Sequence, residues 1–200
     1  MQPYFTACYP GVVTKAEARS PLDRTAIVQG ALDLLDDVGL DEISTRRLAA
    51  HLGVKGPSLY WHFKSMGELR DHMAEALMNA EMPPPDPDPR PEDWREWMAA
   101  GARGIRRAAH ARRDGARLIA GRRPTPERRA TIFPANFARL QASGFGAADA
   151  RLAFTALGRF AVGWALAEQI GVGRTPESDR DFESGLQALL DGFGLRRRAP

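Results

Sequence analysis

Ser44-Thr45-Arg46-Arg47-Leu48-Ala49-Ala50-His51-Leu52-Gly53-Val54, followed by Pro57-Ser58-Leu59-Tyr60-Trp61-His62-Phe63-Lys64, is the stretch on which the reading of this chain turns. Ser44 is a good helix N-cap, because its short hydroxyl can accept from an otherwise orphaned amide of the first turn. Leu48, Ala49 and Leu52 share one helical face, and Gly53 suits the turn that ends the helix. Pro57 then opens another short helix, expected over Ser58 to Phe63. Two short helices joined by a tight, glycine-containing turn are the sequence form of a helix-turn-helix. Ala49 is small where the helices cross, Val54 and Leu59 close the little core, and Leu59, Trp61 and Phe63 are read as its inward side.

Charge supports that reading. From Ser44 to Ser65 the chain carries Arg46, Arg47, Lys55 and Lys64 and no acid, while the preceding segment holds Asp33, Asp36, Asp37, Asp41 and Glu42. A net charge of +3 hides this asymmetry. A basic window beside an acidic helix is the footprint expected of a docked DNA reader.

Working outward, Ser20 can cap a first helix with Pro21 in its opening turn, and Ile27, Ala31, Leu34, Leu35 and Val38 recur at helical spacing. Gly39 supplies the C-terminal cap and Leu40 folds back. On the other side, Ser65 and Glu68 form a capping box in which each satisfies the other's amide. Leu69, Met73, Ala76, Leu77 and Ala80 carry that helix to about Met82. The run Pro83 to Pro91 cannot be helical and reads as an extended connector. The expected organisation is a flexible arm (1–20), a helix-turn-helix domain (21–65) and a C-terminal domain (66–200). The last opens with a connecting helix (66–82) and the Pro-rich linker (83–91).

The C-terminal domain is also read as helical throughout, which makes the fold class all-α. Trp94, Trp97, Met98, Gly101 and Ile105 mark one helix face, and a short helix spans about Arg113 to Ala120. Thr125 caps a helix with Pro126 at its first position and Pro134 inside, where a kink or bulge is expected. Between Leu152 and Leu166 the long helix Ala147–Ile170 carries only Arg159 as a charge, so it must be covered on all sides. The last helix shows Phe182, Leu186, Leu189, Leu190 and Phe193. These two helices are expected to form a homodimer interface, with Ala156 and Gly163 permitting close approach and Leu186 and Leu190 contributing the apolar stripe.

With 44% apolar residues the chain can bury a sizeable core, yet no run approaches the eighteen apolar residues of a membrane span. Residues 1–19 lack the pattern of a secretory signal. The lone Cys8 excludes an internal disulfide, and His51, His62, His72 and His110 share no ligand spacing, so no metal or cofactor is expected and the cytoplasm is the natural compartment. An enzyme is disfavoured by the lack of a Gly-rich phosphate loop or a nucleophile–base constellation.

The quoted stretch, the run Leu59-Tyr60-Trp61-His62-Phe63-Lys64 above all, resembles the DNA-binding domain of the TetR family. Arg113-Asp114-Gly115-Ala116, Gly121-Arg122-Arg123-Pro124-Thr125, Gly144-Phe145 and Gly158-Arg159-Phe160 look like the core of the tetracycline-repressor subfamily, so the likeness spans roughly residues 22 to 193. It implies a homodimeric repressor that places two recognition helices on a palindromic operator in double-stranded DNA, with half-sites about one helical turn apart. Carried over residue by residue, Thr45, Arg46, Ser58, Tyr60, His62 and Lys64 are the DNA contacts. Two positions depart from the subfamily: Gly56 replaces a base-reading amide side chain and Met66 a phosphate-binding Lys.

The resemblance also implies a small-molecule effector site. Tetracycline is held by its repressor as a magnesium chelate, partly through a His where this chain has Ile119. Its polar anchors correspond to Met82, Gly101 and a position near Ala135, and an aromatic wall to Ile105. A hard cation finds no ligand in Ile. The expected effector is therefore largely apolar and metal-free, in a tunnel lined by Met82, Trp97, Gly101, Ile105, Ile119, Phe133, Phe137, Phe160 and Trp164. Arg123 matches a ligand-contacting Arg of the subfamily. Arg159 calls for an anion, from a ligand or from an internal acid. A rival reading keeps DNA binding but makes the C-terminal part a dimerisation or protein-partner module.

Overall fold

The computed structural model describes residues 22–82, 94–171 and 173–197. The arm, its Ser20 cap and the Pro-rich connector lie outside them. The described elements are helical: α1 (Arg24–Val38), a 3-10 turn (Leu40–Glu42), α2 (Thr45–Leu52), α3 (Gly56–Tyr60), α4 (Met66–Glu81), α5 (Trp94–His110), α6 (Gly115–Gly121), α7 (Pro126–Ala130), α8 (Ile132–Ala142), α9 (Ala147–Ile170) and α10 (Pro176–Gly194). The fold is all-α.

Local chemistry sets most helix ends. Asp23 caps α1 by accepting from Ala26 N at 2.7 Å. Gly39 closes the same helix at a φ of +81°, donating to Leu35 O. Ser44 accepts from Arg47 N, and Gly53 ends α2 in the left-handed region. Ser65 caps α4 through Glu68 N at 3.1 Å, but the Glu68 carboxylate accepts from Lys64 N rather than from Ser65. The expected reciprocal box is therefore only half formed. Glu68 also takes the Arg24 guanidinium at 2.8 Å, tying the start of α1 to the start of α4.

Thr125 caps α7, which ends after five residues. The chain breaks at Thr131 and restarts as α8, so Pro134 sits in a first turn rather than mid-helix. An amide is orphaned there in any case, so the imino nitrogen costs no bond. The expected kink is thus a break placed before the proline.

Two apolar clusters result. The first runs from the helix-turn-helix (Ile27, Leu48, Leu59, Phe63) through Met73 of α4 to Leu118 and Ile119 of α6. The second joins α5, α8, α9 and α10 around Trp94, Leu140, Phe182, Leu186 and Leu190. A stripe of alanines on α9 (Ala150, Ala153, Ala161, Ala165) is wholly buried. Where α4 ends against α5, a Cβ on Gly104 would stand 2.9 Å from Glu81 O, so only glycine permits that approach.

The second cluster corrects the expected interface. Leu186 and Leu190 are 0% and 1% exposed in a single protomer, and they belong to its own core with Phe182 and Phe193. Each such side chain stabilises the protomer by roughly 1.5–3 kcal/mol. The apolar period of α10 identified a buried face but not what covers it, which is α5 and α9.

Candidate DNA interface and ligand cavity

At the helix-turn-helix, α2, α3 and the turn after α3 carry the residues expected to contact DNA. Thr45 Oγ1 and Tyr60 OH lie 3.3 Å apart, joining the start of α2 to the end of α3. Arg46, Tyr60 and Lys64 are exposed, and Thr45, Ser58 and His62 are half-buried. Arg47 instead pairs with Glu42 at 2.8 Å, whereas Arg46 and Lys64 form no ion pair among the described residues. A Cβ on Gly56 would meet nothing within 4 Å, so that position is open to a reader but carries none.

Trp61 does not take the expected inward place. It is 89% exposed beside Tyr60 at 59%, while Leu59 and Phe63 are buried as read. The helix ends at Tyr60, and two residues of helical rotation from Leu59 carry Trp61 to the opposite side. An indole so exposed within a basic surface is a candidate contact that rotation alone identifies.

The C-terminal domain holds a cavity of about 1170 Å³ between α4, α5, α6, α8 and α9. Met82, Trp97, Gly101, Ile105, Ile119 and Phe137 line it, as expected. Phe133, Phe137 and Phe154 form an aromatic wall with ring centroids 5.6–6.1 Å apart.

Phe160 and Trp164 face away from the cavity. Phe160 stacks on Phe182 at 5.2 Å and Trp164 meets the same ring edge-on at 5.9 Å, so both pack against α10. The cavity side of α9 is Phe154, Gly158 and Val162. Arg123 also lies elsewhere. It is exposed, and its backbone N donates to Asp71 at 2.7 Å.

Its neighbour Arg122 lines the cavity, together with Arg128, Arg139 and Arg159. The Arg139 guanidinium lies 4.6 Å over Trp97. Arg159 is exposed and makes no ion pair among the described residues. Burial pushes the Arg128 guanidinium below its usual range, against the pull of Glu75. Burial does the same to Arg122, and the nearby Arg128 charge adds to it.

Two ionic assemblies frame the cavity. At the start of α6, Arg112 pairs with Asp36, Asp114 accepts from Leu40 N at 2.8 Å, and Arg117 grips Asp41 at 2.9 Å. These bonds tie α6 to the end of α1. Behind the cavity, Glu168 of α9 is buried and accepts from Arg106, from His110 at 2.7 Å and from Ser178 at 2.7 Å. Burial alone would raise this carboxyl, but those donors and the Arg106 charge outweigh it and hold it at about 2.

Comparison with known proteins agrees with this architecture. Residues 27–73 match the model for bacterial regulatory proteins of the tetR family, and residues 86–177 match that for the tetracyclin repressor-like C-terminal domain. The class A tetracycline repressor protein from transposon 1721 of Escherichia coli is 37% identical over 88% of this chain and 92% of its own length. The Q116A repressor of Acinetobacter baumannii AYE in complex with minocycline is 35% identical, with a TM-score of 0.79 over 89% of this chain and 99% of that one. The class A repressor with 5a,6-anhydrotetracycline and magnesium is 38% identical, with a TM-score of 0.75 over 88% and 100%. The chain belongs to the TetR family of transcription regulators, which bind DNA and small ligands and are not enzymes.

The magnesium in that last complex would find a poor donor set here. No carboxylate or imidazole is among the described residues lining the cavity, and four guanidiniums repel a cation. No helix among the described residues is long and apolar enough to cross a membrane.

Proposed function

We propose that this chain is a homodimeric, sequence-specific repressor whose affinity for a palindromic operator is controlled by a small, largely apolar ligand in the α4–α9 cavity. One observation carries the reading: α6 is shared. Its Ile119 lines the cavity, while Arg117 and the adjoining Arg112 and Asp114 hold the end of α1. A ligand that displaces α6 would therefore act directly on the DNA-reading unit. A hundredfold preference of the ligand for the displaced state corresponds to ~2.7 kcal/mol per site.

Thr45, Arg46, Ser58, Tyr60, His62 and Lys64 are assigned to DNA, with Trp61 added by its exposure. The cavity is large enough for a drug-sized molecule, for which ~300–1,000 Å³ suffices. Dimerisation is assigned to the face of α9 where Leu152 is exposed and Ala156 is half-buried; Gly163, with open space beyond its Cα, also borders the cavity. The described cavity lining offers no carboxylate or imidazole, which supports an effector bound without a metal.

The test is a selection of genomic DNA fragments on the purified protein, followed by a thermal-shift screen of apolar and aromatic compounds. A two-fold symmetric binding sequence, and a stabilising compound that alters operator affinity in excess EDTA, are expected. A sequence without two-fold symmetry would overturn the dimer model. No stabilisation across a broad library would favour a dimerisation module without a ligand.

A further inference from the structure

Every ionised side chain described on the cavity lining is an arginine: Arg122, Arg128, Arg139 and Arg159. Arg122 and Arg128 repel each other and lose hydration on burial, and Glu75 offsets that only in part. Arg128 shows the cost most directly. It is 5% exposed, its Nη1 reaches Asn79 at 3.1 Å and Glu75 only at 3.8 Å, and its buried Nε–H has no partner. Arg122, beside it at the end of α6, makes no hydrogen bond or ion pair through its side chain among the described residues. A buried donor left unsatisfied, next to a second guanidinium that Glu75 and Asp71 influence only through space, is a site suited to an anion.

Resting on the reading that this cavity is the effector site, we infer that the effector is a flat aromatic organic anion. Arg122 and Arg128 hold its carboxylate or equivalent oxyanion, and its ring system lies against Phe133, Phe137 and Phe154. Guanidinium forks match carboxylate geometry, and charge-assisted bonds in a desolvated site outweigh neutral ones. The aromatic wall supplies affinity for ring systems of any charge, so the arginines decide which of them is preferred.

A matched set of fluorescent probes tests this on the full-length protein: 9-anthracenecarboxylate, its carboxamide and 9-(aminomethyl)anthracene, titrated by fluorescence. The carboxylate is expected to bind about tenfold or more tighter than the carboxamide, and the ammonium compound weakest. Arg122→Gln should abolish the carboxylate's advantage while leaving the carboxamide within about twofold of the wild type. Arg122 is half-buried, so this variant should fold, and a melting curve checks it. Arg128→Gln should act alike where its melt shows a folded protein. Equal affinity for carboxylate and carboxamide would overturn the anion inference yet leave the cavity a ligand site. A preference that survives Arg122→Gln would overturn the assigned residues. Binding of none of the three would strike the cavity reading itself, and the anion with it.

Discussion

Glu168→Gln should cost about 3 kcal/mol of stability at neutral pH, and that cost should shrink in acid. The carboxylate lies between α5, α9 and α10 with a side chain 5% exposed, and its strongest partner, Arg106, is 6% exposed. Arg106 also reaches Asp179 at 2.8 Å and lies 4.5 Å over the Phe182 ring. Lowering the carboxyl from 4.5 to about 2 corresponds to about 3 kcal/mol of preference for the ionised form in the folded state. That agrees with the ~3–5 kcal/mol typical of breaking a buried pair from one side. Because the folded value is depressed, the stabilisation is complete above the unfolded carboxyl's range and is lost as pH falls from about 4.5 towards 2. At pH 3 roughly 1.4 kcal/mol should remain. Urea unfolding of the wild type and the variant from pH 7 to pH 3 measures the difference directly, and other carboxylates cancel in the comparison. A difference that stays flat across this range, or one below about 1 kcal/mol at pH 7, would refute the reasoning.

Leu186→Glu should unfold the protomer rather than release a monomer, because a carboxylate with no partner would enter the Phe182–Leu190 core, at a cost of about 4 kcal/mol or more. Circular dichroism would show this, and a folded monomer in sedimentation would contradict it. Trp61→Ala should leave stability within about 0.5 kcal/mol while weakening binding to a selected operator, and unchanged affinity would remove Trp61 from the interface. Operator affinity should fall by ~10³ or more between low and moderate salt if ~6–10 phosphates are contacted, and a shallow salt slope would argue against that footprint. Asp114→Ala removes the acceptor of Leu40 N–H at a residue with φ of +54°. Hydrogen exchange at the Leu40 amide should accelerate by about tenfold or more, whereas retained protection would show that the bond to α6 is not what holds this turn.

Legibility followed the physics of each signal. Caps that act over three residues could be read outright: Ser44, Ser65 and Thr125 each accept the expected amide. The long helix Ala147–Ile170 was legible because Gly146 and Gly171 flank a stretch that, from Leu152 to Leu166, carries only Arg159 as a charge. The cap of α1 is Asp23, which spacing alone does not single out among several good acceptors. Orientation was harder. Trp61 needed only helical rotation from Leu59, but a large aromatic next to a core invites an inward reading. Phe160 and Trp164 required knowing which side of α9 faces α10, and a helix apolar all round carries no such mark. Leu186 and Leu190 posed the same problem, since periodicity reports burial but not the partner. Arg122 and Arg128 stand in a stretch so rich in arginine that a solvated face was the natural reading. Only the fold brings Arg128 of α7 and Arg122 after α6 to one cavity.

Length makes α6 a suitable element for the proposed coupling. Gly115–Gly121 spans seven residues, or about 10 Å, too short to bend and long enough to touch both sites. Its first residue is held hard against α5: a Cβ on Gly115 would stand 2.5 Å from Ala109 O. The far end opens into Arg122 and Pro124 at the cavity. A helix held that closely at one end pivots there more readily than it translates. The pinned end is also where Arg112, Asp114 and Arg117 grip the acidic end of α1 and its following turn. Those acids therefore have a role besides offsetting the basic reader: they are the surface on which α6 holds the helix-turn-helix. In the proposed switch, an anion drawn to Arg122 pulls the cavity end, the pivot turns, and the ionic grip on Asp36 and Asp41 is where the DNA reader feels it. Arg122, which helps to choose the ligand, and Arg117, which holds the reader, thus lie on one short lever.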